Sequence, residues 1–181
     1  MFRREGFAAA TIEMIAQEAG TTRRSVTHRF PDKNGLLIAV FEFWAGEHRQ
    51  RVFTPASVLA GHPIDAVRHA CRATFDNACV EDFVAFYRLA MAVAEQNPVV
   101  GEVLIRLNDR FAAELEALVM RAQRVGLFAG QDPADTATAL IGVFLSNPLN
   151  RRALGDVQFQ DAKRQDRYFE ALWALVAHAS N

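Results

Sequence analysis

The chain has 181 residues, is 51% hydrophobic and 23% charged, and carries 20 basic against 21 acidic side chains for a net charge of −1. That composition supports a packed core and excludes a disordered tail. It also excludes a polycation that binds nucleic acid by bulk charge, so any such contact must use a local patch. Cys71 and Cys79 lie eight positions apart in one helical stretch, about 12 Å along a helix and too far for a disulfide. A reducing, cytoplasmic setting fits. No apolar run reaches the roughly 18 residues of a membrane span, and residues 1–20 lack the apolar core of a signal peptide.

The pattern predicts an all-α chain, with no period-2 strand and no repeat. Thr11 caps a first clear helix, with Glu13 in its first turn and Ile12, Ile15, Ala16 and Ala19 on one face. Gly20 stops it. Thr22 caps a second short helix, Arg23 to Arg29, which Pro31 ends. Asp32 caps a third, running through Leu36, Leu37, Val40, Phe41 and Trp44. Residues 52–63 hold two prolines and a glycine and read as a loop. Longer helices follow over Ile64–Cys79, Glu81–Gln96 and Val99–Val125. Another opens at Asp132-Pro133 and closes at Asn147-Pro148, and the last spans Phe159–His178. Two domains are expected, 1–50 and 51–181.

The two short helices joined at Ala19-Gly20-Thr21-Thr22 suggest a helix-turn-helix. Residues 20–35 hold Arg23, Arg24, Arg29 and Lys33 against one acid, Asp32, while the remaining residues are net negative. Arg23, Arg24 and Thr27 stand near the start of the second helix, the end that usually enters a major groove. From charge alone, a solvated arginine-rich turn is an equal alternative.

Gly6-Phe7, Thr11 through Gly20, and Thr21 through Leu37 (with Ala19-Gly20 at the turn and His28-Arg29-Phe30-Pro31-Asp32-Lys33 before Leu36-Leu37) resemble the DNA-binding domain of TetR-family transcriptional regulators. The match covers residues 1 to about 45; the rest resembles the family in plan only. The resemblance implies that Arg23–Arg29 is the recognition helix. Thr22 would cap it and meet phosphate, and Arg23, Arg24 and Thr27 would reach bases or phosphates. His28 and Lys33 would approach the backbone, and Val26 and Phe30 would pack on Ile12 and Ile15. The chain departs from the family at Arg24, where glycine is usual, and at Thr27, where a phosphate-binding tyrosine is usual, so its operator preference should differ. Only Met1–Glu5 stand where the family has a full first helix before Gly6-Phe7. The expectation is that most of that helix is lost, leaving Phe7, Ile15 and Phe41 less covered.

The family plan also implies a helical second domain that binds a small effector and pairs with a second copy through Ala134–Ser146 and Phe159–His178. Phe86, Tyr87, Met91, Asn108, Phe111 and Phe144 are the candidate ligand contacts, chosen as aromatic or polar side chains among apolar helix positions. The bland reading of each is core or half-exposed surface. Histidines 28, 48, 62, 69 and 178 are scattered, without metal-site spacing. Ser25, Ser57, Ser146 and Ser180 lack a nucleophile elbow, and no glycine-rich phosphate loop occurs. Glu114 and Glu116 read as solvated acids, and Cys71 and Cys79 as packing residues. No enzyme activity, metal or cofactor is expected. The leading expectation is a homodimeric, ligand-responsive repressor of a pseudo-palindromic operator in double-stranded DNA. The rival is a dimeric small-molecule sensor or interaction module that no longer binds DNA.

Overall fold

The computed structural model describes residues 1–55, 58 and 60–178. Among them every regular element is helical. The chain forms two compact units, one of Met1–Gly46 with Ala85–Leu107, the other of Glu47–Val84 with Asn108 onward. The expected cut falls near residue 50. By packing, each unit instead draws on two stretches of sequence.

The first unit opens with α1 (Phe2–Ala9), broken at Gly6, whose φ of 78° places it in the left-handed region. Then come α2 (Ile12–Glu18) and α3 (Arg23–Arg29). Thr11 Oγ1 accepts from Met14 N–H at 3.2 Å and Thr22 Oγ1 from Ser25 N–H at 3.1 Å, so both helices start where the threonine caps predict. α4 (Lys33–Phe53) begins behind Asp32, whose carboxylate accepts from Gly35 N–H at 2.8 Å. It is longer than expected: Val52 and Phe53, read as loop, are its last residues. Both are buried in the second unit's core, and that burial outweighs the weak helix propensity of a β-branched and an aromatic residue. The first unit also takes most of α6 (Glu81–Gln96) and the start of α7 (Pro98–Gln123). Its core gathers Phe2, Ala16, Val26, Leu37, Phe41 and Val93. Phe7 and Ile15 are half-buried and Phe41 fully so. Phe2, 8% exposed, packs 5.7 Å from the Phe7 ring and supplies cover there.

The second unit holds the rest of α4, α6 and α7 with α5 (Pro63–Cys79), α8 (Pro133–Ile141), α9 (Asn147–Ala153) and α10 (Ala162–His178). Asp132 caps α8 by accepting from Ala134 and Asp135 N–H. The expected stop at Asn147-Pro148 does not occur. A π-turn over Gly142–Ser146 leads straight into α9, and Asn147 N–H bonds Gly142 C=O, five residues back. The wider turn makes room for Pro148, which has no N–H and whose ring would strike the carbonyl four residues earlier in a regular helix. At the other end, Phe159 sits in a separate 3₁₀ turn (Val157–Gln160), so α10 starts three residues later than predicted. Phe75 is the hub of the core, with ring centroids of Tyr168, Phe169 and Phe159 at 5.9, 5.8 and 6.3 Å.

Candidate nucleic-acid interface

The turn between α2 and α3 passes through Gly20 at φ 63°, a conformation that costs a side chain about 1–2 kcal/mol. On α3, Val26 alone is buried, held in a core that includes Ile12, Ile15 and Phe30. Every other α3 side chain is exposed. One apolar anchor thus fixes the helix and leaves its remaining faces for a partner.

Five of the six expected DNA contacts share this surface. Thr22 Oγ1 is committed to the cap and lies 2.9 Å from Ser25 Oγ. Arg23 is paired with Glu13 of α2 at 2.7 Å, both ends well exposed. Arg24 and His28 are exposed and make no ion pair with any described residue. Thr27 Oγ1 donates back to the carbonyls of Arg23 and Arg24, at 3.1 and 3.3 Å. Arg29, not among the expected contacts, is exposed at the end of the same helix. Its cation was visible in the charge count, but nothing in the spacing assigned it a role.

Lys33 is placed differently from expectation. Its ammonium donates to three carbonyls at the end of α1: Phe7 at 2.7 Å, Ala10 at 3.0 Å and Ala8 at 3.2 Å. It also lies 4.5 Å from the centre of the Phe7 ring. Three N–H donors meet three acceptors, so this cation is spent inside the protein. It caps carbonyls that α1 leaves without helical partners.

The six candidate ligand contacts divide between the units. Phe86, in the first, stacks on Trp44 at 5.6 Å and meets Phe41 edge-on at 4.9 Å. Tyr87 is half-buried there, and Met91 is 47% exposed. Asn108, in the second unit, is exposed, whereas Phe111 and Phe144 are buried in that unit's core. Phe111 stacks nearly parallel on His48 at 5.0 Å, and Phe144 lies 5.3 Å from Phe169. None of the six lines the cleft of about 540 Å³ in the first unit, between α1 and α6. None lines the smaller cleft in the second unit either, which His48, Arg51 and Asn77 border. Sequence reading passed over His48, yet Phe41, Trp44, His48 and Val52 follow helical spacing, which puts the imidazole on the apolar stripe of α4.

Cys71 and Cys79 are free thiols. Burial raises both above the ordinary thiol value, Cys79 to about 11, so neither is a ready thiolate at neutral pH. Ser57 and Ser180 lie outside the described residues. Among those described, no helix is long and apolar enough to cross a membrane, and no group of three or more histidine, cysteine or acidic side chains stands ready for a metal ion.

A capped helix-turn-helix with an exposed, arginine-bearing second helix, joined to an all-helical second unit, defines a DNA-binding transcriptional regulator. The profile of bacterial regulatory proteins of the tetR family matches residues 1–40, and that of the C-terminal domain of AefR-like transcriptional repressors matches residues 65–176. The chain belongs to the TetR family. The HTH-type transcriptional regulator BetI of Serratia proteamaculans (strain 568) is 24% identical over 159 residues, spanning 84% of this chain and 78% of its own. A TetR-family protein from Mesorhizobium loti MAFF303099 superposes with a TM-score of 0.77 at 22% identity, covering 96% of this chain and 90% of its own. AibR, solved in complex with isovaleryl coenzyme A and operator DNA, superposes with a TM-score of 0.65 at 14% identity, covering 97% and 91%. These relatives are regulators rather than enzymes.

Proposed function

We propose that the chain is a homodimeric repressor whose second unit binds a small effector and thereby weakens operator binding. The carrying observation is the α3 surface, where Val26 alone is buried and Arg23, Arg24, Thr27 and His28 face outward. In this reading Arg24 and Thr27 read base edges, Arg23 and His28 meet phosphate or base, and the N-terminus of α3 behind Thr22 receives a phosphate. Lys33 supports the interface by holding α1, rather than by touching DNA.

Dimerisation is supported by the outward faces of the last helices. Ala134, Ala139 and Gly142 on one side, and Ala171, Ala174 and Leu175 on α10, are exposed, while Leu140, Phe144 and Phe169 point into the core. Small apolar residues on an outer face suit close helix pairing, and a two-fold pair would present two copies of α3 to a pseudo-palindromic site. AibR, captured with a ligand and operator DNA, supports the effector reading. Phe111 and Phe144 lie in the core of that unit, so in this reading they brace the effector site rather than line it.

Fluorescence anisotropy against DNA flanking the chain's own gene tests the proposal, at two salt concentrations with random-duplex competitor. Specific binding should resist the competitor and weaken steeply with salt. An effector that releases DNA must bind the operator complex more weakly by the same factor. Failure to bind DNA at both salt concentrations would favour the sensor reading.

A further inference from the structure

In the second unit, the late turns of α4 and α5 border a cleft of about 220 Å³ lined by His48, Arg51, Ala73, Asp76, Asn77 and Val80. His48 and Asn77 are 6% and 8% exposed, yet His48 Nε2 and Asn77 Nδ2 have no hydrogen-bond partner among the described residues. Buried polar atoms are nearly always paired, because leaving one unpaired is destabilising. Two residues that carry such atoms border one cleft, which points to a molecule that pairs them.

The donor set narrows its chemistry. Asn77 Nδ2 can only donate. The His48 ring is fixed between Phe111, stacked at 5.0 Å, and Phe83 at 5.6 Å, so Nε2 cannot swing away. Burial, then the Arg51 charge, holds the His48 pKa down to about 4, so the imidazole is neutral at physiological pH and can donate from Nε2 in one tautomer. Arg51 is exposed at the rim, with Nε at 3.4 Å from the Glu47 carbonyl and no ion pair to a described residue. Asp76 is the one acid present, and both its oxygens accept from Arg72 Nε, at 2.8 and 3.0 Å, which offsets its charge. One free guanidinium beside a compensated acid suits a monoanion and disfavours a phosphate dianion. The cleft is also smaller than the roughly 300–1,000 Å³ that drug-sized ligands occupy.

We propose that this cleft binds a small monocarboxylic acid, its carboxylate accepting from Arg51, Asn77 Nδ2 and His48 Nε2 and its short apolar body resting on Ala73 and Val80. The site deepens the effector reading, and rests on it only for the step from binding to operator release.

Calorimetry on the full chain without DNA tests the site, with acetate, butyrate, hexanoate and benzoate as probes. The neutral amides butyramide and benzamide and inorganic phosphate serve as controls. At least one acid should bind saturably with a Kd of about 1 mM or tighter, and its amide about tenfold more weakly. Arg51→Gln, at an exposed position that leaves the core intact, should weaken the acid about tenfold. Asn77→Ala should do the same in a chain that keeps its helical circular dichroism. Absence of saturable binding by all four acids would overturn the proposal. So would equal binding of acid and amide, an unchanged Arg51→Gln, or tighter binding of phosphate. Operator affinity is read separately in anisotropy. An acid that binds while operator affinity stays fixed would confirm the site and sink the effector reading.

Discussion

Lys33→Met separates two uses of one positive charge. If the ammonium serves the α1 carbonyls, its loss should destabilise the first unit. If it serves DNA, its loss should weaken operator binding. Hydrogen bonds to a charged donor contribute about 1.5–3 kcal/mol each when buried. Here the bonds to Phe7 and Ala10 are half-buried and the one to Ala8 is exposed, so about 3 kcal/mol is a fair total for all three. The contact with the Phe7 ring adds about 0.5–1 kcal/mol. Ordering the lysine side chain costs up to about 2 kcal/mol. The net loss on Lys33→Met is therefore about 2 kcal/mol, or a urea midpoint lower by about 1 M at a typical slope. Trp44, stacked on Phe86 in the first unit, reports the transition in a Trp173→Phe background, which silences the second tryptophan. The salt dependence of operator affinity should be unchanged, because no phosphate contact is lost. The reasoning fails if the midpoint stays put while the slope of log affinity against log salt falls by about one contact.

Three further substitutions probe the interface and the second unit. Arg24→Ala should cost about 1–3 kcal/mol of operator affinity in anisotropy and reduce the preference over random duplex; an equal loss on both DNAs would remove Arg24 from base reading. Glu13→Gln should tighten operator binding a few-fold, because an exposed ion pair of about 0–1 kcal/mol no longer competes for Arg23, and unchanged affinity would mean that Arg23 stays out of the contact. His48 binds no proton in the folded chain until about pH 4, whereas its ordinary value is 6.5. Between those values the unfolded state holds the extra proton, so acid removes about 3 kcal/mol of stability over that window and nothing further below it. His48→Phe should flatten the pH dependence of second-unit unfolding between pH 6.5 and 4, and a wild-type stability already flat there would contradict the buried imidazole.

What the sequence made legible was local. Thr11, Thr22 and Asp32 cap helices by accepting from backbone three residues on, and Gly20 supplies a left-handed turn; both signals lie within one helical turn of the residue that carries them. Val26 as an anchor followed from the family resemblance rather than from spacing, and it is buried in one core with Ile12, Ile15 and Phe30. The placement of Lys33 against α1 was not legible, because its acceptors lie 23 to 26 residues away, on a helix whose end the pattern does not locate. Pro148 was read as a stop because single residues do not announce a π-turn; only the burial of Phe144 and Leu149 on either side of it makes the continuation favourable. The second-unit cleft was out of reach for another reason. Asn77 is a surface-type residue in a helical pattern, and its buried amide appears only when α4 packs against α5.

Gly46 offers a last test, since it lies inside α4 at the point where that helix passes from the first unit to the second. Glycine in a helix interior is less favourable than alanine by about 1 kcal/mol, because the unfolded chain is freer and no side chain shields the backbone. A Cβ built at Gly46 meets nothing within 4 Å, so alanine fits without displacing a neighbour. Gly46→Ala should therefore stabilise the chain by up to about 1 kcal/mol in urea unfolding. A fixed, stiffer α4 should leave acid binding at His48 and Arg51 intact, because neither side chain moves. If release of DNA uses bending at Gly46, the same variant should bind the acid normally yet lose part of the acid-driven drop in operator affinity. Destabilisation by Gly46→Ala would mean that α4 is not a regular helix at this point.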